Sequence, residues 1–156
     1  MNHKFSAQPV TILLVDDDED CRQLIRDAIE QCKLDNVVCE VSSGEEAIEY
    51  LKRPAPFSAD SPRPGLIYLD IEMPGMGGQE TLKAIRKDPR FDDIAVVMMT
   101  GVTDDIQKHM AMSNGANSYT NKPTDALTFI QTVMHSTNYW LRIHQFPSAA
   151  AQSNVA

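Results

Sequence analysis

Val10–Val15 (VTILLV) is a short apolar run, the signature of a strand buried on both faces. From Asp18 onward the period changes. Cys21, Leu24, Ile25, Ala28, Ile29 and Cys32 recur at spacings of three and one, which predicts an amphipathic helix. The alternation then repeats. Residues 37–41 predict a second strand, and Ser42-Ser43-Gly44-Glu45-Glu46 offers a capping box for a helix reaching about Leu51. Apolar runs at 66–69 and 94–99 predict two more strands, followed by helices over 77–87 and 103–113. A fifth strand at 116–120 and a long last helix over 125–143 complete the pattern.

Strands alternating with helices five times predict an α/β fold, a doubly wound five-stranded parallel sheet covered on both faces. The chain of 156 residues reads as one domain over 9–146, with a flexible start at 1–8 and a disordered tail at 147–156. Residues 53–65 (RPAPFSADSPRPG) hold four of the nine prolines and predict a stiff exposed loop.

Charge and cysteine content narrow the function. A net charge of −8 and a pI near 4.8 argue against a nucleic-acid surface and against an anionic membrane. No window approaches 18 apolar residues, and the first residues lack an apolar core of a signal peptide. Cys21, Cys32 and Cys39 have no metal-ligand spacing and read as small buried hydrophobes in a reducing cytoplasm. His3, His109, His135 and His144 share no ligand spacing and read as surface residues.

Open parallel sheets bind ligands beyond the carboxyl ends of their strands. The residue past each predicted strand is therefore the one to examine. The first strand leads to Asp16 and Asp17, the third to Asp70, the fourth to Thr100 and the fifth to Lys122. Three carboxylates, a hydroxyl and an ammonium on one rim suit a hard cation, Mg²⁺ or alternatively Mn²⁺, and a phosphoryl group beside it. The acidic run Asp16 to Asp20 divides. Asp18, Glu19 and Asp20 are expected to open the first helix, where unpaired N–H groups favour anions. An EF-hand would need Gly and Glu where Cys21 and Asp27 stand, so that reading fails.

Four stretches in order, VDD at 15–17, LDIEMPGMGG at 69–78, MMT at 98–100 and YTNKP at 119–123, resemble the response-regulator receiver domain of two-component signalling. The resemblance covers about residues 9 to 143 and implies a flavodoxin/CheY-like (βα)5 fold. It implies that Asp70 accepts a phosphoryl group from a histidine kinase. Asp16, Asp17, Asp70 and the backbone carbonyl of Glu72 would then form the metal site. Thr100 and Tyr119 would be the switch pair, with Tyr119 turning inward as Thr100 moves toward the phosphoryl group. The Lys122–Pro123 peptide bond would be cis. Glu72 and Val102 flank the site. The long Pro-rich loop and the Trp-containing last helix are similar to small stand-alone regulators paired with bacterial phytochromes.

The last helix carries two apolar stripes. Ala126, Ile130, Met134, Thr137 and Leu141 suit the sheet, which leaves Phe129, Val133, Trp140 and Ile143 as a partner face. A homodimer using this face and the C-terminal segment is expected. Too few residues follow the last helix for an output module, so the output is expected to be a contact with a downstream protein or phosphotransfer partner. Two other classes compete: a receiver-like module that binds partners without phosphorylation, and a phosphatase of the haloacid-dehalogenase type. The latter needs a DxDG at the first strand, where Glu19 follows Asp18, and an acid pair beyond Lys122 that is absent.

Overall fold

The computed structural model describes residues 9–53, 62–101 and 104–143. The expected N-terminal segment, the tail, Val102 and most of the Pro-rich loop lie outside the described residues, as does the side chain of Ile143. The elements run β1 (Val10–Val15), α1 (Glu19–Gln31), β2 (Asn36–Val41), α2 (Gly44–Leu51), β3 (Leu66–Asp70) and α3 (Gly78–Lys87). They continue as β4 (Ala95–Thr100), α4 (Asp105–Ser113), β5 (Ser118–Asn121) and α5 (Ala126–Asn138). A short 3-10 turn at Pro89–Phe91 precedes β4, and a π-helical turn at Tyr139–Ile143 ends α5.

All five strands are parallel, in the order β2-β1-β3-β4-β5. Each strand contributes alternate side chains to the two faces. Leu13, Val15, Ile67, Leu69, Val96 and Met98 face α2, α3 and α4, while Ile12, Leu14, Tyr68, Val97 and Met99 face α1 and α5. Register brings Val15 level with Leu69, Asp70 level with Met99, and Thr100 level with Asn121. The carboxyl ends of four strands therefore share one rim.

The helix starts follow local chemistry. Asp18 caps α1, accepting from the backbone N–H of Asp20 and Cys21, and Glu19 and Asp20 occupy the first turn. Ser43 caps α2, accepting from Glu46 N–H, while the Glu46 carboxylate reaches back to Ser42 N–H at 2.7 Å. α3 starts at a close backbone approach instead. A Cβ on Gly78 would lie 2.3 Å from the Asp70 carbonyl oxygen, so only glycine fits.

The last helix corrects the sequence reading. Phe129, Val133 and Trp140 do not form a partner face, because they are buried in the monomer with Thr137. Ile130, Met134 and Leu141 are half-buried against the same cluster, and Ala126 is exposed. The cause is that α5 packs on the sheet and on α1 together, so both stripes point inward. Among the described residues, the exposed large apolar side chains lie elsewhere: Val37, Ile106, Met110, Met112, Leu127 and Tyr139. The fifth strand also sits two residues later at its start than the apolar pattern suggests, at Ser118.

Candidate functional site

β1 ends at Val15 and delivers Asp16 into the rim with only 2% of its surface exposed. Its loop is tied down by its own side chain. Asp16 Oδ1 accepts from Asp18 N–H at 2.9 Å, and the Arg22 guanidinium donates to the Asp16 carbonyl. Arg22 is anchored in turn by an ion pair with Glu40 at 2.9 Å. Arg22 was not singled out in the sequence, where an Arg on an acidic helix face carries no distinguishing pattern.

β3 delivers Asp70, buried like Asp16, and Asp17 stands exposed at the mouth. One carboxylate oxygen from each of Asp16, Asp17 and Asp70 lies within 4.8 Å of the others. Lys122, two residues past β5's Thr120, brings its ammonium between the two buried acids. Its Nζ is 2.9 Å from Asp16 Oδ2 and 2.7 Å from Asp70 Oδ1. The second contact is a short ion pair, and Lys122 is the partner of Asp70 Oδ1 among the described residues.

Charge balance explains the ionisation of these groups. Burial pushes the Asp70 carboxyl up to about 7; Lys122 opposes that shift, and Asp16 and Glu72 add to it. Burial alone would lower the Lys122 ammonium, but Asp70 and Asp16 overcome it and raise it. Three acids against one ammonium leave net negative charge in a mostly buried place, which is unfavourable without a cation. The donor set fits a hard divalent ion: three carboxylates, each with an oxygen within 4.8 Å of the others, carrying more negative charge than Lys122 offsets. Asp16, Asp17 and Asp70 could hold one.

Thr100 ends β4 at 1% exposure. Its hydroxyl points at Glu72, 2.8 and 2.7 Å from the two carboxylate oxygens. Lys122 N–H donates to the Thr100 carbonyl at 2.6 Å, so the residues past β4 and β5 are coupled through backbone. Tyr119, half-buried on β5, packs against the core with its hydroxyl buried and unpartnered among the described residues. Burial raises its pKa, followed by the charges of Glu72, Asp104 and Asp105. The structure thus brings together Asp16, Asp17, Asp70, Thr100 and Lys122, with Tyr119 behind Thr100. The Glu72 side chain bonded to Thr100 is an addition, since the sequence pointed only to its carbonyl and its flanking position.

This combination of a doubly wound sheet and an acidic rim with Thr and Lys is that of a signal-receiving domain. The chain belongs to the response regulator receiver domain family, whose model matches residues 12–134. Probable methanogenesis regulatory protein FilR2 of Methanothrix harundinacea is 32% identical over 145 residues, 93% of this chain and 92% of that protein. Response regulator Rcp1 of Synechocystis is 26% identical over 144 residues, 92% and 97% of the two chains. The crystal structure of the Mn²⁺-bound form of Rcp1 superposes with a TM-score of 0.82, covering 90% of this chain and 100% of that one at 26% identity. The phosphorylated cyanobacterial phytochrome response regulator RcpA gives 0.82 over 90% and 99% at 28% identity. No helix among the described residues is long and apolar enough to cross a membrane.

Proposed function

We propose that this protein is a stand-alone response regulator that accepts a phosphoryl group on Asp70 from a histidine kinase. It then passes the signal on through a changed protein contact. The observation that carries this reading is Lys122 lodged between Asp16 and Asp70, with the Thr100 hydroxyl on the next strand.

Asp70 is the acceptor because it alone of the three acids stands at the end of the central strand, where it meets the Lys122 ammonium at 2.7 Å. An Asp70 oxygen attacks phosphorus, an O–P bond forms, and the P–N bond to the donor histidine breaks with its electron pair leaving on the imidazole. Asp16, Asp17, Asp70 and the Glu72 carbonyl would hold Mg²⁺, or Mn²⁺, which when bound offsets the charge of the phosphoryl oxygens. Lys122 faces one phosphoryl oxygen and Thr100 another. Phosphorylation adds charge and acceptor oxygens that these two residues meet in one arrangement, and that difference biases an equilibrium between two states, with Tyr119 following Thr100.

The likeness to the cyanobacterial phytochrome response regulator RcpA supports a bacterial phytochrome as the kinase. A cytoplasmic location and a homodimer belong to the same reading. With the core stripe of α5 corrected, the dimer would use exposed side chains such as Leu127 and Tyr139 instead. A dilution series by light scattering tests it; a monomer at tens of micromolar in both phosphorylation states ends the dimer.

Intact mass after incubation with acetyl phosphate and Mg²⁺ tests the central claim. One added phosphoryl group is expected on the wild type, and none on Asp70→Asn or with EDTA. No mass gain in the wild type would overturn it and favour a module that binds partners without phosphorylation.

A further inference from the structure

The Thr100 hydroxyl oxygen lies 2.8 and 2.7 Å from the two carboxylate oxygens of Glu72, and since an ionised carboxylate can only accept, Thr100 donates to it. Those distances are within the range of O–H···O hydrogen bonds, here to a carboxylate acceptor. The backbone on both sides is held. Ile71 N–H donates to the Met99 carbonyl at 2.9 Å, and Gly78 N–H donates to the Ile71 carbonyl at 3.0 Å, which fixes the stretch that carries Glu72. Thr100 is in strand register with Asn121 and is nearly inaccessible. The freedom left to the pair is side-chain rotation.

The Glu72 carboxylate is also absent from the acid cluster. Asp16, Asp17 and Asp70 form that group, while Glu72 turns its charge to the Thr100 side of the site. Its residue is exposed, so its carboxylate keeps solvent contact while holding a buried hydroxyl.

We propose that Glu72 is a positioning residue that occupies the Thr100 hydroxyl before phosphorylation and competes for it with the phosphoryl group on Asp70. The inference rests on Asp70 being the phosphoryl acceptor. One proton cannot serve two anions fully, so the gain from Thr100 meeting the phosphoryl group is reduced by the bond to Glu72 that is given up. Glu72 thereby sets how strongly a phosphoryl group must bind before the switch turns.

A double-mutant cycle tests this, with beryllofluoride and Mg²⁺ as the phosphoryl mimic and affinity read by fluorine NMR. Glu72→Ala should tighten beryllofluoride binding about tenfold, the effect of one charge-assisted hydrogen bond. In a Thr100→Val background the same substitution should change affinity little, because the contested proton is gone. Equal tightening in both backgrounds would mean that Glu72 acts as a bare charge, which overturns the proposal; no tightening in either overturns it too. A second readout needs neither phosphoryl mimic nor metal. With methyl-labelled threonine, the Thr100 resonance should shift in Glu72→Ala, and an unchanged resonance overturns the proposal. If wild type binds no beryllofluoride, the acceptor reading fails, while the methyl resonance still decides whether Glu72 holds Thr100.

Discussion

Tyr68, two residues before Asp70 on the same strand, shares a hydrogen bond of 2.8 Å with Thr137 on the last helix. It also donates to Ser136 at 3.1 Å. Both Tyr68 and Thr137 are essentially inaccessible, so this is a polar tie inside an apolar layer.

Removing one end of that tie leaves Thr137 unsatisfied. Tyr68→Phe should destabilise the fold by about 1–2 kcal/mol at neutral pH. Burial pushes the Tyr68 phenol up to about 12. A folded pKa above the unfolded value gives stability that is complete below about pH 10 and is lost as pH rises toward 12. The urea midpoint should therefore fall from pH 10 upward, more steeply in wild type than in Tyr68→Phe. Equal slopes would exclude Tyr68 as a cause, because Tyr50, also raised by burial, titrates in both proteins.

Lys122→Ala strands two buried carboxylates without their cation. The expected loss is about 3 kcal/mol or more in EDTA. Mg²⁺ binding stabilises by mass action, about 1.4 kcal/mol at ten times its Kd. Excess MgCl₂ should raise the melting temperature of wild type and restore part of the loss in Lys122→Ala. A melting temperature insensitive to Mg²⁺ in both would contradict the acid cluster as a metal site.

Gly78→Ala places a methyl group against the backbone of Asp70 and Ile71. Overpacking there should cost about 3 kcal/mol and displace the carboxyl end of β3. Acetyl phosphate should then label the variant more slowly than wild type, even at temperatures where circular dichroism shows it folded. Labelling at the wild-type rate would mean that the loop absorbs the methyl group without moving Asp70.

The three thiols should differ in reactivity. Burial, then Asp16, pushes Cys21 up to about 12, and burial raises Cys32. Cys39 is half-buried. A thiol reagent at pH 8 should label Cys39 first and reach Cys21 and Cys32 only on unfolding. Mapping by mass after a short pulse settles the order; early labelling of Cys21 would show that α1 opens.

The strand–helix alternation was legible because β1, β3 and β4 are nearly continuous apolar runs and the helices spaced ones. By contrast, β2 carries Glu40 and β5 is Ser118–Asn121, which is why the start of β5 was misplaced. Asp16, Asp70, Thr100 and Lys122 were legible for a related reason, since each stands at or just past the end of a strand. The orientation of α5 was not. Two adjacent stripes cannot tell a helix with a partner outside from one wedged between sheet and α1, and Phe129, Val133 and Trp140 went inward. The Glu72 side chain was hidden for the opposite reason. An exposed acid in a loop has no periodicity, and its bond to Thr100 depends on how β3 and β4 align.

The Lys122–Asp16 contact joins residues 106 positions apart in the chain. During synthesis, β1, β3 and β4 leave the ribosome before β5, so the acids exist for some time without their ammonium. A growing chain therefore has no complete cluster of Asp16, Asp70 and Lys122 until its last strand has docked beside β4. On the proposed function, half-made copies cannot take up a phosphoryl group, and only finished molecules can.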